Sequence, residues 1–206
     1  MDIRLHRNDL PDEFVASVSS SVAVDTEAMG LLPYRDRLCM AQFCCGNGVC
    51  HLVQFDSYAK SRNVVTTLQD NSILKIFHYA RFDIAMFHQY LGVMPNNIYC
   101  TKIASKLART YASSHSLRDL CFELLGVEIS KAQTCTDWGI DNISEAQLEY
   151  AATDVLYLHQ LKAKLDTLLH REARYDIARA CFAFLPTRVA LDLMAGERYD
   201  IFAHST

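Results

Sequence analysis

The sequence predicts an α/β fold, a mixed sheet flanked by helices and continued by a C-terminal helical extension. Three observations carry that expectation. Three apolar, β-rich runs stand near the N-terminus, at 21–26, 38–45 and 49–55. From residue 59 the pattern alternates helix, strand, helix, strand, helix. Beyond residue 144 only helical periodicity is left. An order of this kind is that of a sheet with helices packed on its faces.

Each element has a local reason. Ser21–Thr26 (SVAVDT) is a continuous β-rich run. Leu38 to Phe55 is uncharged and as long as a membrane span, but Gly46-Asn47-Gly48 at its centre is a hairpin signal that would break a spanning helix. The run therefore reads as two buried strands, and no membrane partner is expected. A helix-like segment follows at 59–70, a short strand at 72–77, and a helix from Arg81 to Leu91 closed by Gly92. A strand near 97–100 leads into a helix with Lys102, Lys106 and Arg109 along one side. Ser116 caps a helix that ends at Gly126. Ser144 and Gln147 form a capping signature for one long helix, and two or more further helical segments are expected over 171–194.

Composition narrows the function. The 206 residues fit one large domain, half of them hydrophobic and 21% charged, a globular balance. With 20 basic and 24 acidic side chains the formal charge is −4, which argues against broad coating of duplex nucleic acid and leaves room for a local basic groove. The first residues (MDIRLHRNDL) hold no apolar stretch of the secretory kind, so a cytoplasmic location and reduced thiols are expected. Cys39, Cys44, Cys45 and Cys50 with His51 lack the Cys-x-x-Cys spacing of a zinc site, and they read as small packing residues.

The chemistry sits in three short stretches. Asp25 and Glu27, two apart on a strand, project from one face. Two like charges there repel, and each is costly to desolvate unless a cation lies between them. A divalent metal is one answer, and a solvated strand end is the other. On the long helix, Tyr150 and Asp154 share a face flanked by the apolar stripe Leu148, Ala151, Val155 and Leu158. That places a carboxylate where burial is expected, as a ligand or as a hydrogen-bonded core residue. His78-Tyr79-Ala80-Arg81-Phe82-Asp83 follows a strand and enters a helix, where Asp83 would also suit the helix dipole.

Taken together, D-T-E in a strand, H-x4-D and then Y-x3-D resemble the three exonuclease motifs of the DEDD 3'–5' exonucleases, in the branch with tyrosine, as in the ribonuclease D superfamily. The resemblance covers about residues 20–165, including Thr136-Asp137-Trp138. The length, Arg35-Asp36-Arg37-Leu38-Cys39 and the ending Asp200-Ile201-Phe202-Ala203-His204-Ser205 are most similar to the nano-RNase C branch. The resemblance implies a ribonuclease-H-like fold with a mixed five-stranded sheet. It implies one exonuclease domain over 1–206, with a core at about 20–165 and a helical extension at about 171–206.

It also implies two divalent ions, Mg²⁺ or Mn²⁺, roughly 4 Å apart around a scissile phosphate. Asp25 would bridge them, Glu27 and Asp154 would hold the ion that activates water, and Asp83 would support the other. Tyr150 would orient the water, because a phenol with an ordinary pKa near 10 is a poor base. The product would be a nucleoside 5'-monophosphate. Ala28-Met29 departs from the Thr-Leu usual in related sequences, a change in packing beside the site.

By the same resemblance Leu31 is a wedge between two bases and His78 a substrate contact. Lys102, Arg109 and His115 belong to a basic stretch that reads either as a solvated face or as a cap for a 5'-phosphate. Dinucleotides and very short RNA are the expected substrate. The alternatives are a ribonuclease D-like or DNA-trimming exonuclease on longer chains, and a catalytically dead nucleic-acid-binding scaffold. The stripe Tyr175, Ala178, Cys181, Phe182 and Leu185 reads as a second core layer or as an oligomer interface. The resemblance implies a homo-oligomer, an octameric ring.

Overall fold

The structure, a computed structural model, describes residues 1–130, 136–195, 201, 202 and 204. The strands are β1 (Asp2–Arg7), β2 (Ser21–Ala28), β3 (Leu38–Cys44), β4 (Val49–Gln54), β5 (Leu74–Phe77) and β6 (Ile98–Cys100). They form one mixed sheet in the order β1-β4-β3-β2-β5-β6. β2, β3 and β4 are an antiparallel meander; β5 and β6 extend it in parallel beside β2, and β1 runs parallel to β4.

The fold class is the expected one, with one strand more than the five foreseen. β1 (DIRLHR) is rich in charge and mostly exposed, so its pattern does not announce a strand. Its backbone becomes one by docking on the free edge of β4, with Ile3 opposite Cys50 and Leu5 opposite Leu52. A short helix α1 (Asp12–Ser17) then drops Phe14 into the core.

The helices cover the sheet. α2 (Arg62–Gln69) and α3 (Ala80–Leu91) follow β4 and β5. Gly92, in the left-handed region at φ 66°, ends α3 as expected and offers its N–H to the His88 carbonyl. α4 (Thr101–Ala108) follows β6, and α5 (Leu117–Leu120) is capped by Ser116 and runs on as a wider turn through Cys121–Leu125 to Gly126. Ser144 and Gln147 form a full capping box for α6 (Glu145–Leu156). The single long helix expected there breaks at Tyr157, and α7 (Leu158–Arg171) follows directly.

The C-terminal region also differs from expectation. α8 (Tyr175–Ala195) is one helix rather than several, and it carries Pro186 in its interior. Proline there removes one backbone hydrogen bond, yet Phe182, Leu185 and Val189 on both sides of it are buried and hold the helix against the domain. α8 packs on α3, α4 and β6, so much of the apolar stripe belongs to the core. Ile177, Phe184 and Met194 stay exposed on its outer side. Cys39, Cys44 and Cys50 are buried among the core side chains. Among the described residues no helix is long and apolar enough to cross a membrane.

Candidate active site

The topology gathers chemistry at one edge of the sheet. β2 is the strand where pairing changes hand, antiparallel to β3 on one side and parallel to β5 on the other. Ligands of α/β sheets sit at the carboxyl ends of strands beside such a point. Asp25 and Glu27 lie near the carboxyl end of β2, His78 directly follows β5, and Thr101 and Lys102 directly follow β6.

α6 lies across β2, β3 and β4, with Ala151, Ala152 and Val155 buried. The small alanines let the helix approach the sheet, and this sets Asp154 against the β2 carboxylates. Oxygens of Asp25, Glu27 and Asp154 all lie within 4.8 Å of one another. Burial drives the Asp25 and Glu27 carboxyls well above the usual carboxylate range, and neighbouring carboxylates push the same way: Asp83, Asp154 and Glu27 on Asp25, Asp154 and Asp83 on Glu27. Burial raises Asp154 to about 7, partly offset by a hydrogen bond from the Tyr150 phenol one turn earlier. Burial also raises Asp83 to about 8.

Asp83, on α3, stands beside this trio. Thr26 Oγ1, from between the two β2 acids, donates to Asp83 Oδ1 at 2.6 Å. Tyr150 is backed by the buried Trp138, with ring centroids 6.2 Å apart. Gln147 Nε2 donates to the Asp137 carbonyl at 3.1 Å, which fastens the Thr136-Asp137-Trp138 stretch to α6. The arrangement fits divalent cations on its own chemistry: three hard oxygen donors converge, and their like charges are costly without a cation. The donors are oxygen only, which suits Mg²⁺ or Mn²⁺ rather than zinc.

The loop between β2 and β3 presents Leu31, 77% exposed. It is firmly tied beneath: Asp36 Oδ2 accepts from the Leu32 N–H at 2.9 Å, and Asp36 pairs with Arg35 at 2.6 Å. A Cβ at Gly30 would run into the Asp36 carboxylate, so the glycine is required by this close approach. Gly139 nears the same loop from the other side, and its carbonyl accepts from Arg37 at 3.0 Å.

The basic stretch divides. His78 Nδ1 lies 2.9 Å from Thr101 Oγ1, and its ring also meets the backbone of His115. Burial, with Lys102 nearby, pulls it down to about 3, so its imidazole is neutral. His115 Nδ1 in turn lies 2.8 Å from Ser105 Oγ, and Lys102 Nζ sits 4.5 Å above the Tyr79 ring. Arg109 does not share this surface. α4 ends at Ala108, and the backbone of Arg109 leaves the helix at φ −118°. Its guanidinium is 1% exposed, paired with Glu123 and donating to Ser105 Oγ at 2.9 Å. The expected basic face thus loses Arg109 to the interior.

Two supports escaped the sequence reading. Thr26 hides between two acids, and nothing in a three-residue motif marks which way its hydroxyl turns. Asp36 enters the sequence reading only within Arg35-Asp36-Arg37-Leu38-Cys39, with no role of its own, and only the folded loop reveals that it anchors Leu31. Of the ending Asp200–Ser205, Asp200, Ala203 and Ser205 lie outside the described residues.

Known proteins resemble this chain in sequence and fold. A family profile described as 3'-5' exonuclease matches residues 5–170. Brucella melitensis NrnC bound to pGG is 52% identical with a TM-score of 0.94, each chain covered in full. The same Brucella protein with bound Mg²⁺ aligns at a TM-score of 0.93, also 52% identical over the whole of both chains. Ribonuclease D of Gluconacetobacter diazotrophicus is 31% identical over 167 residues, 80% of this chain and 42% of that protein. The chain thus spans less than half the length of the curated ribonuclease D relatives it matches. Escherichia coli RNase D, 24% identical with a TM-score of 0.78 over 92% of this chain and 51% of its own, shares the fold. With its carboxylates, tyrosine and sheet in this order, the chain belongs to the 3'-5' exonuclease family, within the ribonuclease D superfamily.

Proposed function

We propose that this protein is a metal-dependent 3'–5' exoribonuclease that hydrolyses dinucleotides and very short RNA to nucleoside 5'-monophosphates. The observation that carries the reading is the convergence of Asp25, Glu27 and Asp154 within 4.8 Å, with Tyr150 bonded to Asp154. A scaffold without catalysis gains nothing from such a costly cluster. The Brucella relative solved with pGG and with Mg²⁺ supports both the short substrate and the metal.

In this reading Asp25, Glu27 and Asp154 hold two divalent ions, and Asp83, steadied by Thr26, supports them. Bound Mg²⁺ or Mn²⁺ supplies charge stabilisation to a phosphoryl oxygen and lowers the pKa of water. Tyr150 orients the attacking water rather than deprotonating it. Leu31 separates the two bases, and its exposure on an anchored loop suits that task. His78, His115 and Lys102 meet the 5' side of the substrate. A neutral His78 contributes hydrogen bonding there, so Lys102 brings the positive charge. Arg109 serves the packing of α4 instead of the substrate.

Residues 1–206 act as one exonuclease domain, its core at about 20–165 and α8 its helical extension. The exposed Ile177, Phe184 and Met194 on α8 favour an oligomer face; the ring of eight and the cytoplasmic location rest on the family resemblance alone. Hydrolysis rates on RNA and DNA of two to about twenty nucleotides test the substrate claim. A steep preference for two nucleotides of RNA is expected, whereas equal rates across lengths would hand the role to a processing enzyme. Absence of any hydrolysis with Mg²⁺ or Mn²⁺ would leave the scaffold reading.

A further inference from the structure

One polar side chain beside the carboxylates has no task in the scheme above. Gln42 stands in the middle of β3, opposite Asp25 of β2 in the antiparallel register and opposite Leu52 of β4 on its other side. Directly paired residues project to the same face of a sheet, with Cβ atoms about 4.5–5.5 Å apart. Gln42 therefore shares the face of Asp25 and Glu27, under α6. It is fully buried, and neither its Nε2 nor its Oε1 has a hydrogen-bond partner among the described residues.

An amide buried without a partner is costly, and a leucine or methionine would fill the space without that cost. The surroundings offer few acceptors. Leu52 is apolar, and Glu27 faces the apolar Met40. Gln54, diagonal to Gln42, gives its Nε2 to the Ile140 carbonyl at 2.7 Å and keeps a neutral Oε1 that is a weaker acceptor than the Asp25 carboxylate. Asp25 is the one carboxylate of the trio with a polar cross-strand partner.

We propose that Gln42 is a positioning residue for the metal centre: its amide, without a hydrogen-bond partner among the described residues, turns its Nε2–H to the Asp25 carboxylate when divalent ions are held there and fixes that group's orientation toward them. The proposal rests on the reading of Asp25 as a metal ligand. Carboxylates that bind metals are themselves held by hydrogen bonds. A neutral amide suits this post better than lysine or arginine, because it orients the carboxylate without competing with the ions for its charge.

The test uses the full chain with Gln42→Leu and, as a second variant of similar volume and flexibility, Gln42→Met. Melting temperature is read in EDTA and then against rising Mn²⁺ or Mg²⁺, beside kcat and KM for a dinucleotide. Both variants should be at least as stable as the native protein in EDTA. The ion concentration for half-maximal stabilisation should rise about tenfold, a step typical of lost support around a metal ligand. At saturating metal kcat should fall while KM stays. An unchanged metal titration would overturn the proposal, and with lower stability in EDTA it would assign Gln42 to packing alone. A native protein that gains no stability from either ion would instead overturn the metal-ligand reading of Asp25, and the role of Gln42 with it.

Discussion

Thr26 Oγ1 donates a 2.6 Å hydrogen bond to Asp83 Oδ1, so the strand that carries two of the acids also holds a third in place from α3. Asp83 is buried, and leaving its acceptor oxygen without a donor there costs about 1–3 kcal/mol. Thr26→Val keeps the shape and removes the donor. Melting temperature should fall by that measure of stability, and kcat at saturating metal should fall with it. A variant as stable and as active as the native protein would detach Asp83 from the machinery.

The raised carboxyls predict how the metal-free protein responds to pH. The folded state holds protons on Asp25, Glu27, Asp83 and Asp154 that the unfolded chain releases near pH 4. Stability is therefore fullest at low pH within this window. It declines as pH rises through the values of about 7 for Asp154 and about 8 for Asp83. Melts in EDTA should show a lower melting temperature at pH 8 than at pH 5 on account of these groups. Mg²⁺ favours the ionised carboxylates and should shrink the difference. A difference that Mg²⁺ leaves untouched would point to groups elsewhere.

Asp25→Asn removes a ligand and also one of four crowded charges. Turnover should disappear, while metal-free stability at pH 8 rises and assembly on size-exclusion chromatography stays as in the native protein. Measurable native-like turnover would sink the proposed chemistry.

Leu31→Ala separates substrate recognition from folding, because the side chain is exposed on a loop anchored by Asp36. Its melting temperature should match the native one. kcat/KM on a dinucleotide should fall about tenfold or more, the scale of burying a leucine against apolar surface. Equal kcat/KM for both proteins would remove the wedge.

Arg109 should behave in the opposite way. Breaking a buried ion pair by removing one partner costs roughly 3–5 kcal/mol, and the partial exposure of Glu123 puts this pair at or below the lower end. Arg109→Ala should lower the melting temperature clearly and leave the dinucleotide KM of the folded fraction unchanged. A raised KM with native stability would return Arg109 to the substrate.

The site was legible where chemistry is local. Asp25 and Glu27 sit two apart on a strand, and Tyr150 and Asp154 one turn apart on a helix, so spacing alone aims each pair. The Ser144–Gln147 capping box, the Gly92 helix end and the Gly46-Asn47-Gly48 hairpin were equally readable, since each depends on neighbours in the chain. β1 was not, because a charged edge segment becomes a strand only when β4 supplies its hydrogen bonds. The region 171–194, read as two or more helical segments, is one helix across Pro186, because burial of the residues around the proline outweighs the lost bond.

The residues alone singled out the four acids proposed to carry the chemistry, the α/β order that brings them together, and an acidic balance that disappears once those four carboxylates are set aside. The other 20 acidic residues then match the 20 basic ones. Tertiary structure alone decided that Asp36 anchors Leu31, that Arg109 turns inward and that Gln42 lies across from Asp25. The reason is physical: a side chain's partner comes from a distant segment, and burial and register, which no local pattern encodes, choose that segment.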